Sequence, residues 1–144
     1  MLSPIAQQFM AVVRRMTRDL DYPTEIVVGP TIREPDGLAM SSRNVYLEPA
    51  QRQAATVLYR ALRAGAAAFE AGDRDAEGLR RILNEKLDSE PLARAQYVSV
   101  ADPDSLEELE GPLQRALLSM AVVIGKTRLI DNVMVEGLEP QLTL

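Results

Sequence analysis

Apolar residues recur at helical spacing from Ala54 to Leu87, and after Pro91 they fall into short β-branched runs. That change of period confines this stretch to helices followed by an antiparallel sheet in one α+β unit. The first helix is expected to begin at Glu48, with Pro49 in its first turn. It carries Ala54, Val57, Leu58, Ala61, Leu62, Ala66 and Phe69 on one face and ends at Gly72. A second helix runs to Leu87 from an N-cap at Asp73 or Asp75, with Leu79, Ile82, Leu83 and Leu87 in line. Gly78 weakens that helix by about 1 kcal/mol relative to alanine. Strands are expected around Tyr97, Val98 and Val100, over residues 115–124 and over residues 128–135, with Gly125-Lys126 turning between the last two. The two helices should then cover one face of the sheet.

The first thirty residues read differently. Ile5, Phe9, Val12, Val13, Met16 and Leu20 mark one side of a helix whose other sides carry Arg14, Arg15 and Arg18, and Pro4 suits its first turn. Residues 25–30, Glu-Ile-Val-Val-Gly-Pro, predict a short buried strand. A helix followed by such a strand is how an α/β domain ends. Residues 31–46 are polar and contain the turn signal Pro35-Asp36-Gly37, so they are expected to form a loop. The chain is accordingly divided into residues 1–35 and residues 36–144.

Composition removes several chemistries. There is no cysteine, hence no disulfide, thiolate nucleophile or thiol ligand, which agrees with a reducing, cytoplasmic setting. There is no histidine either, so the commonest general base, imidazole ligands and every His-containing triad are missing from these residues. With 16 basic and 21 acidic residues the net charge is −5, which gives no bulk attraction to nucleic acid or to an anionic membrane. Met1 to Met10 lack a signal-peptide pattern, and no run approaches the roughly 20 apolar residues that span a bilayer.

The segment Gly37-Leu38-Ala39-Met40-Ser41-Ser42-Arg43-Asn44 concentrates two hydroxyls and a guanidinium in a glycine-started loop just before a helix. Serine hydroxyls and backbone N–H groups donate to phosphate oxygens. Arginine adds a rigid fork of charged donors able to stabilise charge on a leaving pyrophosphate. The same pattern also serves as an ordinary solvated approach to a helix.

The longer string that contains it, Pro30-Thr31-Ile32-Arg33-Glu34-Pro35-Asp36-Gly37-Leu38-Ala39-Met40-Ser41-Ser42-Arg43-Asn44-Val45-Tyr46-Leu47, resembles the segment joining the two domains of the pantothenate synthetase family. Gly125-Lys126-Thr127-Arg128-Leu129-Ile130-Asp131-Asn132 is similar to that family's near-terminal hairpin. The resemblance covers nearly the whole chain. It implies an α+β C-terminal lid domain, a small antiparallel sheet covered by helices, preceded by a helix-strand remnant of a Rossmann-like α/β nucleotidyltransferase domain. It further implies a cytoplasmic ligase that condenses pantoate with β-alanine using ATP and Mg2+, the ion arriving with ATP and bound mainly by the other domain. The intermediate would be pantoyl adenylate, and the intact family is homodimeric.

Residue by residue, Met40, Ser41, Ser42 and Arg43 match the family's KMSKS-like ATP-binding loop, with Arg43 in the catalytic role. Ile32 matches a position that meets ATP through its backbone, and Gln8 inherits pantoate binding, while no residue is assigned to a metal. Departures stand beside these matches. Pro4 and Ile5 occupy the positions of a family lysine and aspartate, and the HIGH-type motif of the nucleotidyltransferase domain has no counterpart here. The expectation is therefore the C-terminal portion of such a ligase, inactive by itself. The alternative is a non-catalytic folded fragment that serves as an interaction or structural domain.

Other signals have plainer readings. Gly125-Lys126-Thr127 is no Walker A loop, because Met120 stands where the earlier glycine is required. The acidic group Asp102, Asp104, Glu107, Glu108 and Glu110 lacks the spacing of a calcium loop. Met10, Met16, Met120 and Met134 are expected to fill core space.

Overall fold

The structure, a computed structural model, describes the backbone of residues 4–137 and the side chains of residues 9–137. Its elements are helices α1 (Pro4–Asp19), α2 (Pro49–Ala54), α3 (Val57–Glu70) and α4 (Ala76–Asp88), then strands β1 (Ala93–Ala101), β2 (Arg115–Ile124) and β3 (Thr127–Glu136). A 3-10 turn, Ser42–Tyr46, precedes α2. The strands form one antiparallel sheet in the order β1-β2-β3.

The helical stripe of residues 48–72 is broken once. Thr56 Oγ donates to the Gln53 carbonyl at 2.8 Å and the Thr56 N–H bonds the same oxygen, an i to i−3 bond that separates α2 from α3. At the start of α4, Asp75 is the N-cap and accepts from the Gly78 N–H at 2.9 Å. The β2-β3 connection is the two-residue turn expected. Gly125 has φ +61° at the position where a type II′ turn requires glycine, and a Cβ there would meet Gln51 Nε2 at 2.5 Å.

Alternate residues of the strands face α3 and α4. Leu58, Leu62, Phe69, Leu79, Leu83 and Leu87 pack onto Val100, Leu118, Met120, Val122 and Ile124, all essentially inaccessible to water. Burial of this size is the main source of the unit's stability. β1 departs from regular pairing once: Ala95 pairs with Val122 and Tyr97 with Ala121, so Gln96 is an extra, bulged residue.

The strand expected at residues 25–30 does not form. Residues 22–30 are irregular, and Val27 is 83% exposed. A strand exists only through ladder partners, and no described strand lies beside this segment to supply them. α1 forms as expected and rests against β3, but only Ala11 of its described side chains is buried, while Phe9, Val12 and Met16, and Leu20 just past its end, are exposed. With so little burial at stake, amide exchange over residues 10–30 is expected to run much faster than in α3 and β2 in a monomeric sample. Equal protection in both regions would contradict this division of stability.

Candidate functional site

Residues 32–40 fold back on themselves as a short hairpin. The Glu34 N–H donates to Leu38 O and the Gly37 N–H to Glu34 O, both at 2.8 Å, and the Met40 N–H donates to Ile32 O at 3.0 Å. Gly37 makes the turn possible. Its φ is +95°, and a Cβ there would lie 2.0 Å from a Tyr59 ring carbon, so both backbone sterics and ring packing require glycine. Arg52 on α2 donates to both Asp36 oxygens at 2.8 and 3.1 Å. That guanidinium holds the Asp36 carboxyl below its ordinary pKa against the opposing effect of burial, with a lesser contribution from the Leu38 N–H. Because Asp36 is exposed, the pair adds little stability. Its contribution is present above the ordinary carboxylate pKa and is lost as the pH falls through the lower folded value.

The hairpin is fastened to the sheet by a buried ion pair. Arg33 Nη1 and Nη2 donate to Asp131 Oδ2 and Oδ1 at 2.7 and 2.9 Å, with side-chain exposures of 13% and 2%. Arg33 Nη1 also donates to Gly37 O at 3.0 Å, and its guanidinium lies 4.8 Å from the centroid of the Tyr59 ring. Asp131 Oδ1 in turn accepts from the Asn132 N–H at 2.8 Å. The pair therefore locks hairpin, α3 and β3 together.

From that anchor the chain runs into the hydroxyl-rich loop. Ser41 caps the 3-10 turn, its Oγ accepting from the Arg43 N–H at 3.2 Å. Asn44 Nδ2 donates to Ala39 O at 3.0 Å, closing the loop from its far side. The backbone of residues 39–44 is thus held at both ends, while the side chains of Met40, Ser41, Ser42 and Arg43 stay exposed. These four line a cleft of about 260 Å³, together with Leu38, Ala39, Asn44, Leu58 and residues 128–131 of β3. Arg43 Nη1 makes a long contact of 3.5 Å with the Arg128 carbonyl across it.

Of the residues singled out from the sequence, Met40, Ser41, Ser42 and Arg43 come together around one cleft. Ile32 sits one rung away, its carbonyl committed to Met40 and its side chain 61% exposed. The Gln8 side chain lies outside the described residues. Arg33, Asn44, Arg128 and Asp131 were not assigned from the sequence. Arg33 and Asp131 are 98 positions apart, beyond any spacing rule. The only signal for them was that both belong to the two strings that carry the family resemblance.

Chemically, the cleft offers hydroxyl and guanidinium donors for an anion. Its one carboxylate, Asp131, is already engaged by Arg33. Three of the five acidic residues at 102–110 are engaged in local structure: Asp102 caps the Asp104 and Ser105 N–H groups, Asp104 pairs with Arg115, and Glu108 pairs with Arg80. Among the described residues no group of three or more acidic side chains is placed to hold a metal ion. No described helix is long and apolar enough to cross a membrane.

Fold and cleft together define an α+β unit that presents a pinned, hydroxyl- and guanidinium-bearing loop at the edge of a three-stranded antiparallel sheet. Comparison with known proteins matches it to one family, Pantoate-beta-alanine ligase, over residues 6–134, and the chain belongs to that family. It is similar to the pantothenate synthetase of Roseiflexus sp. strain RS-1, 63% identical over 132 residues, 92% of this chain and 47% of that protein. It is similar also to that of Heliobacterium modesticaldum, 52% identical over 131 residues, 91% of this chain and 46% of that protein. Among solved structures, pantothenate synthetase from Thermus thermophilus superposes with a TM-score of 0.77 at 45% identity, covering 85% of this chain and 44% of that one. Pantoate-beta-alanine ligase from Francisella tularensis, complexed with beta-gamma ATP and beta-alanine, gives 0.55 at 30% identity, covering 91% and 41%. The chain spans about half the length of the curated relatives it matches.

Proposed function

We propose that this chain is the C-terminal nucleotide-lid portion of a pantoate–β-alanine ligase, and that the loop of residues 40–43 grips the phosphates of ATP. The observation that carries this reading is the pinned loop: its backbone is fixed through Asn44 and through the Arg33–Asp131 pair, while its donors face open space. A site whose donors are held before the ligand arrives pays little reorganisation when charge develops. Family membership and the ATP complex of the Francisella relative support the same substrate.

In this reading the carboxylate oxygen of pantoate attacks the α-phosphorus of ATP. The bond from that phosphorus to the bridging oxygen breaks, and pyrophosphate leaves with the electron pair. The β-alanine amine then attacks the acyl carbon, loses a proton and expels AMP. Ser41, Ser42 and Arg43 hold phosphate charge through the first step, Met40 frames the nucleotide, Ile32 acts through its backbone, and Gln8 contacts pantoate. With no histidine in the chain, the HIGH-type contribution to the first step is made by residues outside it. Magnesium would travel with ATP and be bound mainly by the other domain. The reading also carries a cytoplasmic setting, a homodimeric enzyme, and no nucleic-acid or membrane partner. It divides the chain into residues 1–35 and 36–144, with the hairpin of residues 32–40 bridging the two units.

The exposed stripe Phe9, Val12, Met16 and Leu20 favours a second reading, an interaction or structural domain without turnover. Two measurements on the chain separate the readings. Saturable ATP binding, with no AMP release above buffer in the presence of pantoate and β-alanine, is the result expected of a nucleotide lid. Absence of ATP binding would overturn the nucleotide reading in favour of the second. AMP release by the chain alone would overturn the assignment of essential chemistry to residues elsewhere.

A further inference from the structure

Arg128 is exposed on β3, and it lines the same cleft as Ser41, Ser42 and Arg43. Its Nε donates to Gln96 Oε1 at 2.7 Å. Gln96 is the one residue of β1 that falls outside the ladder register, the extra residue between Ala95 and Tyr97. A bulge re-aims the side chain it carries, and bulges recur where strands border a functional site. Here the re-aimed amide holds an arginine by its inner nitrogen. The two outer nitrogens have no hydrogen-bond or ion-pair partner among the described residues.

The charge balance of the cleft points the same way. The chain is acidic overall, at −5, yet two arginines, Arg43 and Arg128, line the cleft, with the Arg43 Nη1 3.5 Å from the Arg128 backbone carbonyl. Asp131 is the only carboxylate lining the cleft, and both its oxygens are taken by Arg33. A cleft lined by two arginines, with its one carboxylate already paired, favours a bound anion.

We propose that Arg128, aimed by the bulged Gln96, is a second guanidinium ligand for the polyphosphate tail, acting from β3 opposite Arg43. The proposal rests on reading this cleft as the nucleotide site. It adds a binding residue supplied by the sheet to those supplied by the loop, so that the anion is held from two elements instead of one.

The test is the affinity of the chain for inorganic triphosphate at low salt, measured by calorimetry for the wild type and for Arg43→Ala, Arg128→Gln, Arg128→Lys and Gln96→Ala. Arg128→Gln is expected to weaken binding about tenfold, the loss of one charge-assisted contact. Arg128→Lys should recover part of that, since it keeps the charge but not the fork. Gln96→Ala should weaken binding several-fold, by about three to five, with the charge count unchanged. Because Arg128 is exposed, its thermal midpoint should match the wild type, which separates loss of a ligand from loss of fold. If Arg43→Ala weakens binding while Arg128→Gln stays within about twofold of wild type, Arg128 is not a ligand and the proposal falls, leaving the nucleotide reading intact. If neither substitution alters binding, or the wild type binds no triphosphate, the reading of the cleft falls and the proposal with it.

Discussion

Replacing Asp131 by alanine is expected to lower the stability of the chain by about 3–5 kcal/mol, the cost of stripping one partner from a buried ion pair. The carboxylate is 2% exposed and takes two bonds from Arg33, which is itself 13% exposed. Without it the guanidinium stays desolvated between Tyr59 and the Gly37 carbonyl, with both carboxylate bonds gone. The pair is not expected to be worth that much when both partners are removed together. Arg33→Met combined with Asp131→Leu leaves no charge behind and should recover most of the loss. Urea unfolding checks both statements, since at about 2 kcal/mol per M the single variant should shift the midpoint by roughly 1.5–2.5 M. A single-variant loss under about 1 kcal/mol would mean that the pair behaves like a surface one and does not anchor the hairpin.

In a full-length ligase carrying this unit, Arg43→Ala is expected to lower kcat by about ten- to a thousand-fold, the range for removing a preformed donor to transition-state charge. Arg43 is exposed at the cleft, while its own N–H is tied to Ser41 Oγ. Its backbone is fixed, and its Nη1 reaches across the cleft to within 3.5 Å of the Arg128 carbonyl. If the guanidinium meets charge that appears on the leaving pyrophosphate, kcat and kcat/KM fall together. If it holds ground state and transition state alike, only KM for ATP rises. Unchanged kcat and pyrophosphate release would remove Arg43 from the chemistry.

Much of this architecture was legible because it rests on local rules. The stripe from Val57 to Phe69, the α4 cap, read as Asp73 or Asp75 and formed by Asp75, the three strands and the Gly125 turn each follow from periodicity or turn chemistry within a few residues, and each forms. The strand expected at residues 25–30 failed for the complementary reason. Ile26, Val27 and Val28 have strand propensity, but a strand is a property of its partners, and no described strand lies beside them. The split at Thr56 was missed because a hydroxyl competing for the Gln53 carbonyl leaves the apolar stripe unchanged. In the cleft, the loop residues Met40 to Arg43 could be named because they are contiguous. Their supports could not, since Arg33 reaches Asp131 across 98 positions and Gln96 reaches Arg128 across 32. Only the fold brings those pairs together.

ATP phosphate is proposed to sit at the loop of residues 40–43. That placement is tested most directly by titrating magnesium-bound ATP into the isotopically labelled chain and following each backbone amide. Saturable shifts are expected at Met40, Ser41, Ser42, Arg43 and Asn44, accompanied by the neighbouring amides of β3 around Arg128, and lost in Arg43→Ala. Shifts that are absent, or that gather in the groove between α3 and the far end of β3 around Arg63 and Val135, would contradict it.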